Sequence, residues 1–405
     1  MWSAASKMPL LDIKIDDHYS SKIYTSGSHI TGTVAICPES RTPFHCVQIA
    51  LMGTSHTRVD MLPVPKITTD VFLNLDMPIT KTSYPQGQVF AAGETHIIPF
   101  NFTIPRELHK DACETPSGDH SHDQHMRLPP SMGGWGKDDM SPTMAQVEYK
   151  IVARLLRKRS SSPKDTTEAS QRIMILPAFA EDPPLNINNH DARYTLSRTK
   201  SVRRSLLSTQ KHRIHINALQ PEAVYIGIGG HQLPDSHASV TLDLSFESTS
   251  SFSFPPEVTL GQVKLDTQTW FTGTPMKMSP DLGDPREAAG LRHELRYSTQ
   301  TKLSTTDTGV ILWHKDDQPE DRNVFCWRSR TKVPIRLPTA HKMFLPTFFN
   351  CFIARSYILR MSVNFSGSKT NLSIPLQIAS QSLYPQVMEP EVEDLPSFDA
   401  SLAWR

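Results

Sequence analysis

Apolar and polar residues alternate with period 2 along much of the chain. Over 46–53 the apolar positions are Val47, Ile49 and Leu51, and over 95–105 they are Ile98, Phe100, Phe102 and Ile104. Over 146–156 they are Val147, Tyr149, Ile151, Ala153 and Leu155. The later part repeats the theme with Val240, Leu242, Leu244 and Phe246, then Tyr357, Leu359, Met361, Val363 and Phe365, then Leu372, Ile374, Leu376 and Ile378. Successive side chains of a strand point to opposite faces, so each run predicts a strand with one buried and one wet face. Half-buried strands of this kind belong to antiparallel sheets. Turn signals part the runs at Ser26-Gly27, Pro85-Gln86-Gly87, Ala92-Gly93 and Ser366-Gly367. Gly27 and Gly32 flank one strand and Gly53 is expected to end another. No long segment carries period 3.6, and 194–207 is the one short run that suits a helix. The expected class is all-β, with antiparallel sheets packed face to face.

Composition adds the organisation. At 405 residues the chain has room for two domains of ordinary size. Pro outnumbers Gly, 32 to 18, which argues against a helical bundle and against Gly-rich phosphate loops. Residues 109–145 are rich in Pro, Gly, His and Ser and read as an insertion loop in a first domain, 8–176. Residues 177–210 begin Pro-rich and end basic, as an interdomain linker would. A second domain over 211–380, with a mixed polar stretch near 275–309, is followed by an acidic tail at 381–405 holding Glu389, Glu391, Glu393, Asp394 and Asp399.

The net charge is only +1, from 42 Lys and Arg against 41 Asp and Glu, which excludes a generally basic nucleic-acid binder. The balance hides a segregation. From Arg193 to Arg213 there are seven basic residues and no acid. Arg193, Arg198, Lys200, Arg203 and Arg204, with the strand-end cluster Arg157, Lys158 and Arg159, form a candidate patch for anionic lipid headgroups or phosphate. Ser201 and Ser205 inside it are candidate phosphosites, where a phosphate would blunt the positive charge.

Five Cys without a CxxC pair, and no apolar leader of signal-peptide length, point to reduced thiols in the cytosol. No run approaches the ~18 apolar residues of a membrane span. Sequons at Asn101, Asn364 and Asn371 fall in strand-like runs. The His-rich stretch holds His109, Asp111, Cys113, His120, His122 and His125. Its spacing is irregular and no second Cys lies near, so the expectation is a polar loop and no metal. Gly227-Ile228-Gly229-Gly230 lacks a following Lys and reads as a turn after a short strand. With no G-x-S-x-G, HExxH or Walker pattern, no enzyme activity, cofactor or small-molecule substrate is expected.

The order of several motifs resembles the arrestin superfamily, in particular fungal α-arrestin-like proteins. Tyr24-Thr-Ser-Gly27 through Ile30, Gly32, Val34 and Ile36 looks like the family's opening strand. Ile49-Ala-Leu51-Met-Gly53, Phe100-Asn-Phe102-Thr-Ile104-Pro105, and Leu128-Pro-Pro-Ser131 before Val147-Glu-Tyr149-Lys-Ile151 follow. In the later part stand Ile214-His-Ile216, Pro346-Thr-Phe348 and Ile353-Ala-Arg355-Ser-Tyr357. The resemblance covers about residues 8–380. It implies two curved, immunoglobulin-like β-sandwiches and a cytosolic adaptor without a catalytic site, peripheral at the plasma membrane or endosomes. Such an adaptor binds cytosolic segments of transporters or receptors and links them to ubiquitination and endocytosis. It also implies recruitment of a HECT-type ubiquitin ligase whose WW domains read Pro-Pro-x-Tyr or Leu-Pro-x-Tyr peptides.

This sequence departs there. It has no Pro-Pro-x-Tyr, and its nearest match is Leu395-Pro396-Ser397-Phe398, where Phe lacks the hydroxyl. The absence keeps open a second reading, a retromer-type structural sorting or coat subunit that recruits no ligase.

Overall fold

The computed structural model describes residues 10–381 apart from 61–63, 81–82, 114–119, 158–165, 188–190, 192, 203–211, 250–252, 278, 281–294, 305–310, 317–323 and 366–367. Strands dominate it. The first group is β1 (Leu11–Ile15), β2 (Ile23–Tyr24), β3 (His29–Ile36), β4 (Thr42–Val59), β5 (Lys66–Asp76), β6 (Val89–Phe90), β7 (His96–Thr103), β8 (Ala145–Arg157) and β9 (Thr166–Ile175). The second is β10 (Ser197–Val202), β11 (His212–Ala218), β12 (Val224–Ile226), β13 (Ser239–Ser248), β14 (Val258–Phe271) and β15 (Leu295–Lys302), continuing through β16 (His314–Lys315), β17 (Phe325–Pro334), β18 (Phe348–Phe349), β19 (Ile353–Phe365), β20 (Ser368–Leu376) and β21 (Ile378–Ser380). Among the described residues one α-helix, α1 (His120–His125), stands between the strands.

Among the described residues every strand ladder stays inside its own group. The first group makes a three-stranded sheet, β1-β3-β7, and a larger one in the order β2-β9-β8-β4-β5, with β6 also on β4. The second makes a five-stranded sheet, β10-β11-β13-β17-β16, another in the order β15-β14-β19-β18 with β20 on β19, and the pair β12-β21. Pairing is antiparallel except at β2-β9 and β12-β21. The alternation expected for antiparallel strands is plain in β13, whose burial alternates along all ten residues while Val240, Leu242, Leu244 and Phe246 turn inward.

Buried apolar residues of both groups form one contiguous cluster that runs from Leu11 to Ile378. Phe44, stacked on Phe90 with ring centroids 4.2 Å apart, anchors it at one end. Phe246, Phe344 and Phe365 fill it at the other. Burying a side chain of that size contributes about 1.5–3 kcal/mol.

The strands read from alternation are present, and several local expectations change. Residues 197–202 form a strand paired with β11, so the described part of the expected helix, 194–202, is not helical, and Arg198 and Lys200 of the expected linker belong to a sheet; 203–207 lie outside the described residues. Gly53 does not end a strand. It sits within the 18-residue β4 at a bulge against β5, where a Cβ would meet the Phe72 ring at 2.5 Å. Part of the mixed polar stretch near 275–309 is strand β15. The acidic tail beyond Gln381 lies outside the described residues, as does the turn expected at Ser366-Gly367. Gly230, at φ +70°, does sit in a turn after β12. Among the described residues no helix is long and apolar enough to cross a membrane.

Candidate functional site

The chemistry-bearing side chains gather where the two sheet groups meet. The segment 131–142, which follows the Leu-Pro-Pro turn, is built from the first group. Ser131 accepts the Ile175 N–H at 2.9 Å through its hydroxyl, and Arg172 donates to the Gly133 carbonyl at 2.8 Å. Asp139 then closes the loop on itself, its carboxylate accepting the N–H groups of Gly133 (2.7 Å) and Ser141 (3.1 Å). Asp138 accepts from the Met140 N–H, with Met140 held at φ +58°. That bond, followed by the Lys342 ammonium, keeps the Asp138 carboxyl below the usual carboxylate range against the opposing effect of burial.

The second group supplies the opposite half. Arg355 on β19 is fully buried. Its Nη1 donates to the Asp139 carbonyl at 2.9 Å and its Nη2 to the Ser141 hydroxyl at 2.8 Å. Next to it Lys342 meets the Asp138 carboxylate at 3.0 Å, and the Met343 N–H donates to the Asp138 carbonyl. Burial separates the two contacts in energy. The Asp138 side chain is 63% exposed, so water screens its pair with Lys342. Lys342→Ala is therefore expected to cost under about 1 kcal/mol in urea unfolding. The Arg355 contact is fully buried, so bulk water does not screen it.

A second seam follows the expected linker. Phe179 and Ser380 exchange backbone hydrogen bonds, Asp182 and Gln377 bond reciprocally, and Leu185 does the same with Gln220. Arg127 grips the Asp182 carboxylate with both Nη atoms. The 177–187 stretch is thus tied along its length to the second group.

A third cluster lies at the same junction. The His-rich stretch folds back on itself through a bridge between Glu107 and Arg127 and a hydrogen bond from the Leu108 N–H to the Met126 carbonyl. This places Cys113 beside His125 at the end of α1, with Sγ to Nδ1 at 3.1 Å. Cys351, in the turn between β18 and β19, completes a triangle. Its Sγ is 3.5 Å from Cys113 Sγ and 3.5 Å from His125 Nδ1. All three residues are buried, and neither cysteine is in a disulfide. The His125 ring meets Phe349 edge-on at 4.3 Å. Burial, then the neighbouring Cys113, push the Cys351 thiol well above the ordinary range, and the Asp70 charge adds to the effect. The expectation that no second Cys is near fails because Cys351 is distant only in sequence.

A scan against family models finds no match for this chain, and a search of curated proteins finds none either.

The basic residues singled out in the sequence separate in space and in role. Arg193 is engaged: it donates to the Pro280 carbonyl and lies 4.7 Å over the Trp270 ring. Arg157, Arg198, Lys200 and Ser201 are exposed, although Lys200 also donates to the Lys369 carbonyl at 2.7 Å. Lys158, Arg159, Arg203, Arg204, Ser205 and the Leu395–Pro396–Ser397–Phe398 peptide lie outside the described residues. On the outer face of β11, β13, β17 and β16 is a cavity of ≈ 780 Å³. Arg213, Arg328 and Arg330 line it together with Glu247, Asp316 and Asp243, each Arg facing an acid. That balance favours no strongly charged ligand.

Sequence reasoning missed Arg355 as a buried group. Its parity with Ile353, Tyr357 and Leu359 did not single it out, because Ala354, Ser356 and Ile358 of the other parity are buried as well.

Proposed function

We propose that this chain is a cytosolic arrestin-like adaptor. It binds an extended cytosolic segment of a membrane protein, a transporter or receptor, and links that cargo to ubiquitination and endocytic trafficking at the plasma membrane or endosomes. It acts by binding and catalyses nothing. The observation that carries the reading is the outer edge of β5. This strand ends its sheet, and β4 is its only ladder partner among the described residues. Ile67 and Val71, four residues apart on one face, are 73% and 48% exposed. Natural sheets usually blunt such edges with charge or cover them. An edge left apolar suits addition of an extended peptide, whose main chain pairs with the strand while its alternate side chains meet Ile67 and Val71. The exposed Arg157, Arg198 and Lys200 suit anionic headgroups at the membrane where such cargo sits. The tail peptide ending in Phe398 is the element that would meet the WW domains of a HECT-type ligase.

Proximity labelling in the native cell tests the reading, comparing the wild-type chain with Ile67→Glu/Val71→Glu. Both side chains are exposed, so the fold should tolerate the pair. The expected labelled set contains transporters or receptors and a HECT-type ligase, and the cargo proteins drop out with the double variant. An unchanged cargo set would sink the β5 assignment. Labelling confined to stoichiometric coat subunits would replace the adaptor with the sorting-subunit reading.

A further inference from the structure

We infer that Cys113, His125 and Cys351 form a zinc site that staples the two sheet groups together. The inference is independent of the adaptor reading.

The donor set is the first reason. Two thiolates and an imidazole are the ligands zinc prefers, and a site with soft sulfur donors disfavours calcium and magnesium. Geometry is the second. With Zn–S near 2.3 Å and Zn–N near 2.0–2.1 Å, a tetrahedral ion separates two sulfurs by about 3.8 Å, and sulfur from nitrogen by about 3.6 Å. The triangle here measures 3.5, 3.5 and 3.1 Å, so an ion enters with outward shifts of a few tenths of an ångström. Their donor atoms all lie within 4.8 Å of one another. Architecture is the third. The Cys113 and His125 donors come from a turn and a short helix held together by the 107–127 closure. The Cys351 backbone is fixed from the other group, where its carbonyl accepts the Met276 N–H at 2.7 Å. Three donors from the two sheet groups converge on one point.

Binding proceeds by ligand exchange: two Cys S–H bonds are lost to solvent as protons, two Zn–S bonds and one Zn–N bond form, and water or another solvent donor takes the fourth corner. No oxidant is required. The competing account of the same geometry is three buried groups that satisfy one another by hydrogen bonds and take no ion.

The experiment uses the full chain, purified in reductant without chelator. Element analysis should find one zinc per chain. After chelator removes it, cobalt(II) should restore 1:1 binding, with tetrahedral d–d bands and a thiolate-to-cobalt charge-transfer absorption. Both should be lost in Cys113→Ser and Cys351→Ser and kept in the control Cys46→Ser. If a variant fails to fold by circular dichroism, thiol alkylation of the wild-type chain decides. Zinc should shield Cys113 and Cys351 from the reagent and leave the labelling of Cys37, Cys46 and Cys326 unchanged. Reduced protein that takes up neither metal overturns the proposal. So does a cobalt spectrum unchanged in folded Cys351→Ser, or wild-type alkylation that zinc does not alter. Loss of metal should also lower the melting temperature, because the ion binds only the folded junction.

Discussion

Arg355→Ala is expected to lower the free energy of unfolding by about 3–5 kcal/mol, from the loss of two hydrogen bonds made by a charged donor at about 1.5–3 kcal/mol each. The guanidinium is wholly enclosed, and two of its nitrogens hold the 139–141 backbone and the Ser141 hydroxyl. Alanine removes both bonds, opens a cavity, and leaves the buried Asp139 carbonyl without its charged donor. Urea unfolding measures the change. Arg355→Lys should recover only part of it, since an ammonium cannot reproduce the two-pronged planar fork. A loss under about 1 kcal/mol would mean that water reaches the guanidinium and the junction is not dry.

The second large effect lies far from the junction. Gly32→Val should cost about 3 kcal/mol, the upper end for forcing extra atoms into a packed site. A Cβ at this position would lie 2.3 Å from the Lys14 carbonyl oxygen and 2.6 Å from the Phe100 ring. The first obstacle is backbone on the neighbouring strand, where Gly32 faces Ile15, so a rotamer change cannot relieve it. The β1-β3-β7 sheet has three strands and cannot separate one pair without exposing the apolar faces of the others. Gly136→Ala is the matched comparison, since nothing lies within 4 Å of its would-be Cβ. Thermal unfolding should show a clear drop for the first and no change for the second. Equal behaviour would refute the steric argument.

The fold class was legible because alternation survives wherever a strand has one dry face. It failed where both faces are wet. β10 is exposed along its first five residues and β15 along its first four, so neither carries a period, and the basic residues of β10 looked like a linker. It failed again where both faces are dry: β19 is buried from Ile353 to Leu359, which masks the inward place of Arg355. The Cys113–His125–Cys351 triangle was illegible for a different reason. Two of its members sit twelve residues apart, but Cys351 is 238 residues from Cys113, and only the packing of the groups brings it close. The resemblance to arrestins named the 128–131 turn and the 353–357 strand as separate motifs. The contact between their neighbourhoods is what gives them a common role.

The continuous apolar cluster bears on how this molecule can be taken apart. A fragment ending near 187 would carry Asp139 and Ser141 with no guanidinium to meet them, and one beginning there would carry a bare Arg355 in an opened hydrophobic wall. Each piece would lose a seam of reciprocal hydrogen bonds as well. The halves behave in this respect like subunits of an obligate dimer joined by a peptide, so exchanging one of them with a relative succeeds only if the matching face travels with it.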